Sequence, residues 1–381
     1  MNTIHKLAQI LKQSVSSLDI LPGSGSDWSS PDTNPHYPIL FESGNLGIPE
    51  KELRKAYLVA VKNFARILPE GKTEDAVLDL TSVILLANPA HNTAFNIRKK
   101  LLSRHPLQSP VTELALTRLL FQTRDGAKSS LLWHHRRYFL RMQHYAAERY
   151  SSSSIMADEV PPLTVTQFEE EFALATRACE VYPRSYFAWL HRTKCLQSLN
   201  AIITTESAIS QYMDLLLDER IRTRSWIESH IGDHSAVHYL CEIDKVLINL
   251  VSARPSLLDQ NAKLAVHATL STSLPHAEEL LFSYPDHETT WAYYRGIVIL
   301  HRGLEESDGE SGAEGTVQVD RRELIRDVVE ETRQSTPISS SSAHNKPTSI
   351  VLASRAYVFL SYAVYVAFRL GANYQSGGDP A

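Results

Sequence analysis

One helical hairpin, repeated five times along the chain, limits what this sequence can fold into. The clearest copy is Tyr182-Pro183-Arg184-Ser185-Tyr186-Phe187-Ala188-Trp189-Leu190-His191-Arg192. Pro183 marks a tight turn, where its fixed φ costs little. Ser185 is placed to cap a new helix. Trp189 and Arg192 are three apart, so they share a helix face, and Leu196 and Leu199 continue that face. Before the turn, Phe168, Phe172, Ala175, Cys179 and Tyr182 fall at spacings of 4, 3, 4 and 3, an amphipathic helix.

The unit recurs at fixed offsets. Pro89 is followed by Phe95 and Arg98 as Pro183 is by Trp189 and Arg192. Trp133 and Arg136 are again three apart in Leu132-Trp133-His134-His135-Arg136-Arg137. A degraded copy, His234 to Leu240, has Val237 at the aromatic position and Leu240 at the Arg position. The last copy runs from Pro285 through Trp291 to Tyr294-Arg295-Gly296. Helical hairpins repeated in this way stack into a solenoid, each burying its seam against the next. The expected class is all-α, an α-α superhelix, with no real sheet because no stretch sustains alternation of period two.

The Trp-x-x-Arg hairpins resemble the repeats of the alpha subunits of protein farnesyltransferase and geranylgeranyltransferases. The irregular copies look more like the protein prenyltransferase alpha subunit repeat-containing protein 1 group within that family. The resemblance covers roughly residues 50–302. It is carried by Trp133-His134-His135-Arg136-Arg137, by Tyr186-Phe187-Ala188-Trp189-Leu190-His191-Arg192, and by Trp291-Ala292-Tyr293-Tyr294-Arg295-Gly296, which is similar to the family's closing Trp-Asn-Tyr-Leu-Lys-Gly. It implies a right-handed crescent that wraps a separate beta subunit. It also implies a transferase inactive without that partner, which moves an isoprenyl group, farnesyl or geranylgeranyl, from its diphosphate to a C-terminal cysteine of a protein substrate. Zinc is expected in the beta partner, with no cofactor bound by this chain and isoprenyl diphosphate as co-substrate.

The family places a Lys five residues before the third-repeat Trp, near the diphosphate, and a Tyr three before it. Those positions here are Arg184 and Tyr186. Arg keeps the charge but changes reach and geometry. Three roles stand open for Arg184: diphosphate contact, subunit interface, or a solvated charge at a turn. A non-catalytic repeat scaffold that binds other proteins is the competing function.

The repeat anchors Phe95, Arg98, Trp133, Arg136, Trp189, Arg192, Trp291 and Arg295 read as structural. Each Trp can bury ~150–250 Å², and each Arg can lay its stem on the aromatic and donate to turn carbonyls. His134, His135, His191, His234 and His238 come from separate repeats, with no carboxylate or Cys at ligand spacing, so no metal site is expected. His191 is expected to hydrogen-bond at the hairpin junction.

Composition narrows the rest. The formal net charge of −5 over 381 residues argues against nucleic acid as main partner. Cys179, Cys195 and Cys241 show no disulfide or zinc spacing and suit a reducing compartment. No signal-peptide pattern is seen, and the apolar run 356–368 is only 13 residues, short for a membrane span. A cytoplasmic protein is expected. The expected units are 1–49, a helix and an irregular extension; 50–302, the array; 303–320, a disordered acidic linker; 321–370, charged and apolar helices around a Ser-rich linker at 334–348; and 371–381, a disordered tail.

Overall fold

The computed structural model describes residues 3–70, 73–105, 109–146 and 158–309. The regions expected at 321–370 and 371–381 lie outside the described residues, as does most of 303–320.

The array is the expected α-α superhelix. Its outermost N-terminal helix is α2 (Glu50–Glu70). Five hairpins follow. Their first helices are α3 (Glu74–Ala87), α5 (Ser109–Leu120), α8 (Val165–Val181), α10 (Glu206–Ser229) and α13 (Ser273–Ser283). Their second helices are α4 (Asn92–Leu102), α7 (Ser130–Ala146), α9 (Tyr186–Ile202), α11 (His234–Ser252) and α14 (Glu288–Gly309). Two shorter helices fit between these, α6 (Arg124–Lys128) before α7 and α12 (Gln260–Ser271) before α13. Helix α14 continues to Gly309, into the stretch expected to be linker. Second helices pack on their successors, α7 on α9, α9 on α11, and α11 on α14. One hydrophobic core runs through the whole stack.

The sequence suggests a first helix of copy four over about 203–218 with a further helix possible at 221–230, but α10 is continuous across both. Leu216, Thr223, Trp226 and Ile227 extend one buried stripe through both, and no Gly or Pro interrupts it. This length solves the problem posed by Val237. Trp226 comes in from α10 and meets Trp189 edge to face, ring centroids 6.2 Å apart. Both indole N–H groups donate to Oδ2 of Asp233, at 3.0 and 3.1 Å. The same carboxylate caps α11 through Oδ1, 3.2 Å from the backbone N of Ser235.

The N-terminal extension is where the structure departs from expectation. Helix α1 (Thr3–Leu11) is present. The stretch 17–49, expected to be irregular, instead forms a three-stranded sheet of β1 (Ser17–Leu21), β2 (Leu40–Glu42) and β3 (Asn45–Pro49) in the order β1-β3-β2. β1 is parallel to β3, and β2 is antiparallel to it. The hairpin between β2 and β3 turns on Ser43 and Gly44, with φ of 50° and 81°. Two positive φ values suit the right-handed twist of paired strands. The sheet docks on the array through Gln122, whose Oε1 accepts from the backbone N of Leu18 at 2.8 Å.

Trp189 is nearly fully buried and touches copies three and four together. Trp189→Ala should cost ~3–5 kcal/mol, with loss of hydrogen-exchange protection centred on α8 to α11. Protection lost only at distant copies would contradict a nearest-neighbour stack.

Candidate functional site

The repeat residues divide into a buried ladder and an exposed edge. Each anchor aromatic is buried: Phe95, Trp133, Trp189 and Trp291. Arg98, Arg136 and Arg192 are buried too, while Arg295 is half-buried. The expected stacking of Arg on Trp is present at Arg192, whose Cζ lies 5.0 Å from the Trp189 ring centre. The main partners of the guanidinium groups are not turn carbonyls. They are buried carboxylates on the first helix of the next hairpin. Arg98 grips Glu113 through Nε at 2.8 Å and Nη2 at 2.5 Å. Arg136 grips Glu171 at 2.7 and 2.6 Å, and Arg192 grips Glu219 at 2.8 and 3.0 Å. The remaining nitrogen of each fork reaches back to a Thr of its own hairpin, Thr81, Thr117 or Thr176. One Arg thus ties three helices, with the paired geometry that makes Arg–carboxylate contacts strong.

The carboxylates are held from a second side. In copies two to five the residue two after the anchor position reaches the first helix of its own hairpin. His135 Nε2 lies 2.6 Å from Glu113, His191 Nε2 lies 2.9 Å from Glu171, and Tyr239 OH donates to Glu219 at 2.9 Å. In copy five Tyr293 OH meets His276 Nδ1 at 3.0 Å. At the junction of copies four and five, where Leu240 leaves no Arg, the cation comes from α10. Arg220 bonds Asp244 at 2.6 Å and Ser273 at 2.6 Å.

Burial pushes the carboxyls of Glu113 and Glu171 up, but the neighbouring Arg charges and the Arg and His hydrogen bonds hold each down to about 2. Burial also lowers both imidazoles below the ordinary 6.5. Each His is therefore neutral and donates from Nε2, and each buried Nδ1 has no hydrogen-bond partner. These groups are structural and almost wholly buried, although Arg136 and Glu171 reach the wall of a cleft of about 480 Å³ between α5, α7 and α8.

Arg184 and Tyr186 lie on the edge where first helices turn into second helices. Arg184 is exposed, with φ 57°. A left-handed backbone costs a non-Gly residue roughly 1–2 kcal/mol, and Gly would relieve it. Arg184 helps line a cleft of about 440 Å³ with Pro183, His230, His234, Asp286 and Glu288, from the turns of copies three, four and five. Tyr186 is 63% exposed, packs edge to face on Phe187, and is not in that cleft lining. The edge is itself laddered: Ser129 Oγ donates to the Pro89 carbonyl at 2.6 Å and Ser185 Oγ to the Ala127 carbonyl at 3.3 Å. Of the pooled histidines, His134 instead meets Asp158 at 3.0 Å and His234 meets Thr289 at 3.2 Å. No group of three possible metal ligands occurs among the described residues, and none of their helices is long and apolar enough to cross a membrane.

Comparison with known proteins agrees with this repeat geometry. The family model of the protein prenyltransferase alpha subunit repeat matches residues 168–199, the third hairpin. The chain is 30% identical over 310 residues to the protein prenyltransferase alpha subunit repeat-containing protein 1-B of Xenopus laevis, covering 73% of this chain and 68% of that one. The chain belongs to the protein prenyltransferase alpha subunit repeat-containing protein 1 family. The Homo sapiens member is 29% identical over 294 residues, 70% of either chain. The geranylgeranyl transferase type-2 subunit alpha of Sus scrofa is 24% identical over 251 residues, 64% of this chain and 37% of that subunit.

Removing one partner of a buried ion pair strands the other charge. Arg136→Met should destabilise by ~3–5 kcal/mol, and adding Glu171→Gln should recover part of the loss. A double variant no more stable than the single in urea melts would refute that coupling. The pH dependence has a definite sign, because folded-state values of His and Glu are both depressed. The unfolded chain takes up protons first, on His135 and His191 below the ordinary 6.5 and then on Glu113 and Glu171 below the ordinary 4.5. Melting temperature should hold above that first value and fall through both windows on acidification. A rise on acidification through the His window would contradict the neutral imidazoles.

Proposed function

We propose that this chain is the alpha-type subunit of a heterodimeric protein prenyltransferase. The observation that carries the reading is the edge at Arg184. A charged, exposed side chain sits on a left-handed backbone that a glycine would fit better, beside a cleft built from three consecutive turns. Folding alone does not favour Arg there, so the side chain has a use outside the fold. The likeness to a geranylgeranyl transferase alpha subunit supports the choice of partner and of lipid.

On this reading the thiolate of the protein substrate's C-terminal cysteine attacks C1 of a geranylgeranyl or farnesyl diphosphate. The new S–C bond forms as the C1–O bond breaks, and diphosphate leaves with the electron pair. Zinc held by the beta partner would lower the thiol pKa. Arg184 offsets charge growing on the departing diphosphate, where a paired guanidinium contact is strong. Tyr186, exposed two residues on, positions substrate or partner. The zinc, the partner, the protein substrate and the cytoplasmic location all belong to the proposal.

Single-turnover transfer of labelled isoprenoid by the chain reconstituted with a zinc-bearing beta subunit tests this. The chain alone should transfer nothing. In the complex, Arg184→Ala should slow the chemical step with assembly intact, since the contact matters most in the transition state. Arg184→Lys should retain more rate. Arg184→Gly should leave the isolated chain as stable as wild type or up to ~1 kcal/mol more stable, while losing transfer. Tyr186→Phe should have a smaller effect. If Arg184→Ala dissociates the partner, the residue is an interface anchor. If the wild-type complex assembles but modifies no cysteine-ending protein, the scaffold reading replaces this one.

A further inference from the structure

Helix α2 carries a charge pattern that the fold does not use. Its inner face, Leu53, Ala56, Ala60, Phe64 and Ile67, is buried, and the helix packs on α3. Its outer face holds Lys51, Arg54, Lys55, Leu58, Lys62, Ala65 and Arg66, all exposed. At 100° per residue these fall within an arc of roughly 120°. The arc contains five cations and no acid, in a chain whose formal net charge is −5. Glu50 and Glu52 lie to either side of it. Lys55 pairs with Glu52 at 2.9 Å, its side chain still 70% exposed, and the charge of Lys51 reaches Asp27 in the adjoining turn.

A terminal helix of a solenoid needs a polar outer face for solubility. Mixed signs would serve that need, so a single sign is unexplained by capping. The stripe runs for about 22 Å along α2. Leu58, 61% exposed, sits at its centre, with Val59 at its flank. Trp28, 44% exposed, stands in the turn beside the N-terminal end of α2, where the Gly23 carbonyl accepts from the Lys51 backbone N–H at 3.0 Å.

We propose that this face of α2 docks the protein on an anionic membrane surface. A plane of headgroups reaches all five cations of a convex stripe at once, whereas a folded acidic partner needs a matching groove. Lys and Arg around a central Leu, with a neighbouring Trp, is the composition of helices that lie on membrane surfaces. The attraction is screened by salt. The proposal concerns this chain alone and stands apart from the prenyltransferase reading.

Flotation of the full-length chain with vesicles tests it. The chain should float with phosphatidylcholine vesicles containing phosphatidylserine, not with pure phosphatidylcholine, and raised salt should release it. Lys62→Glu with Arg66→Glu should weaken partition by about tenfold or more without altering the thermal melt. Leu58→Gln should weaken vesicle binding while leaving binding to soluble polyglutamate unchanged. Equal flotation with neutral and anionic vesicles would overturn the proposal, as would charge-reversed protein that floats like wild type. If Leu58→Gln has no effect on vesicles and polyglutamate removes the protein from them, the stripe is a site for an acidic protein segment instead.

Discussion

The whole array depends on one contact repeated at its junctions, a buried Arg from one hairpin paired in parallel with a buried Glu of the next. Hydrophobic seams alone tolerate sliding, because apolar contact has no direction. A guanidinium fork that meets a carboxylate through two hydrogen bonds does have direction. Arg98 with Glu113, Arg136 with Glu171 and Arg192 with Glu219 fix how far each hairpin lies along its neighbour. The His or Tyr from the opposite side satisfies the remaining lone pairs, which a buried carboxylate needs if its desolvation is to be offset. Register therefore passes along the chain one hairpin at a time.

Much of this is legible in the sequence, and the missing half is illegible for a reason that can be named. The hairpins, their turns and the aromatic plugs follow from period and offset, and second helices start at Asn92, Ser130, Tyr186, His234 and Glu288. The Arg of each hairpin was visible for the same reason. Its carboxylate was not, because the two lie on different hairpins, 15 to 35 residues apart. The available signal was a Glu on an otherwise apolar face. Glu171 lies between Phe168 and Ala175 on the stripe that defines α8, and it is as buried as they are. The sheet is hidden in the sequence for a different reason. Its strands are five residues or fewer, too short for alternation to show. Ser43-Gly44 between Phe41 and Leu46 was the sign of a hairpin.

Inside and edge obey different constraints. The ladder residues are almost wholly buried, so their identities answer to charge balance and packing. The edge residues meet solvent, and their identities answer to whatever docks there. Trp189 and Arg184 are five positions apart and fall on opposite sides of this division. A six-residue stretch can therefore hold a buried anchor and an exposed cation, and likeness of the anchor says little about the cation. The candidate at Arg184 rests on its own geometry, an exposed charge on a left-handed backbone, and not on the quality of the repeat around it.

The fourth hairpin shows what the ladder requires. With Leu240 in the Arg position, a Glu at the matching place on the next hairpin would be a lone buried charge, which is costly. The structure has Ser273 and His276 on that helix instead. The cation has moved to Arg220, one residue after Glu219 on α10, and the anion to Asp244, four residues after Leu240. Three changes together keep one cation against one anion at a buried junction. Loss of the arginine alone would leave nothing to neutralise the partner, so a ladder of this kind can be rewired but not thinned. Copy four is therefore degraded only when read against the Trp-x-x-Arg spacing. As a junction of buried charges it is complete.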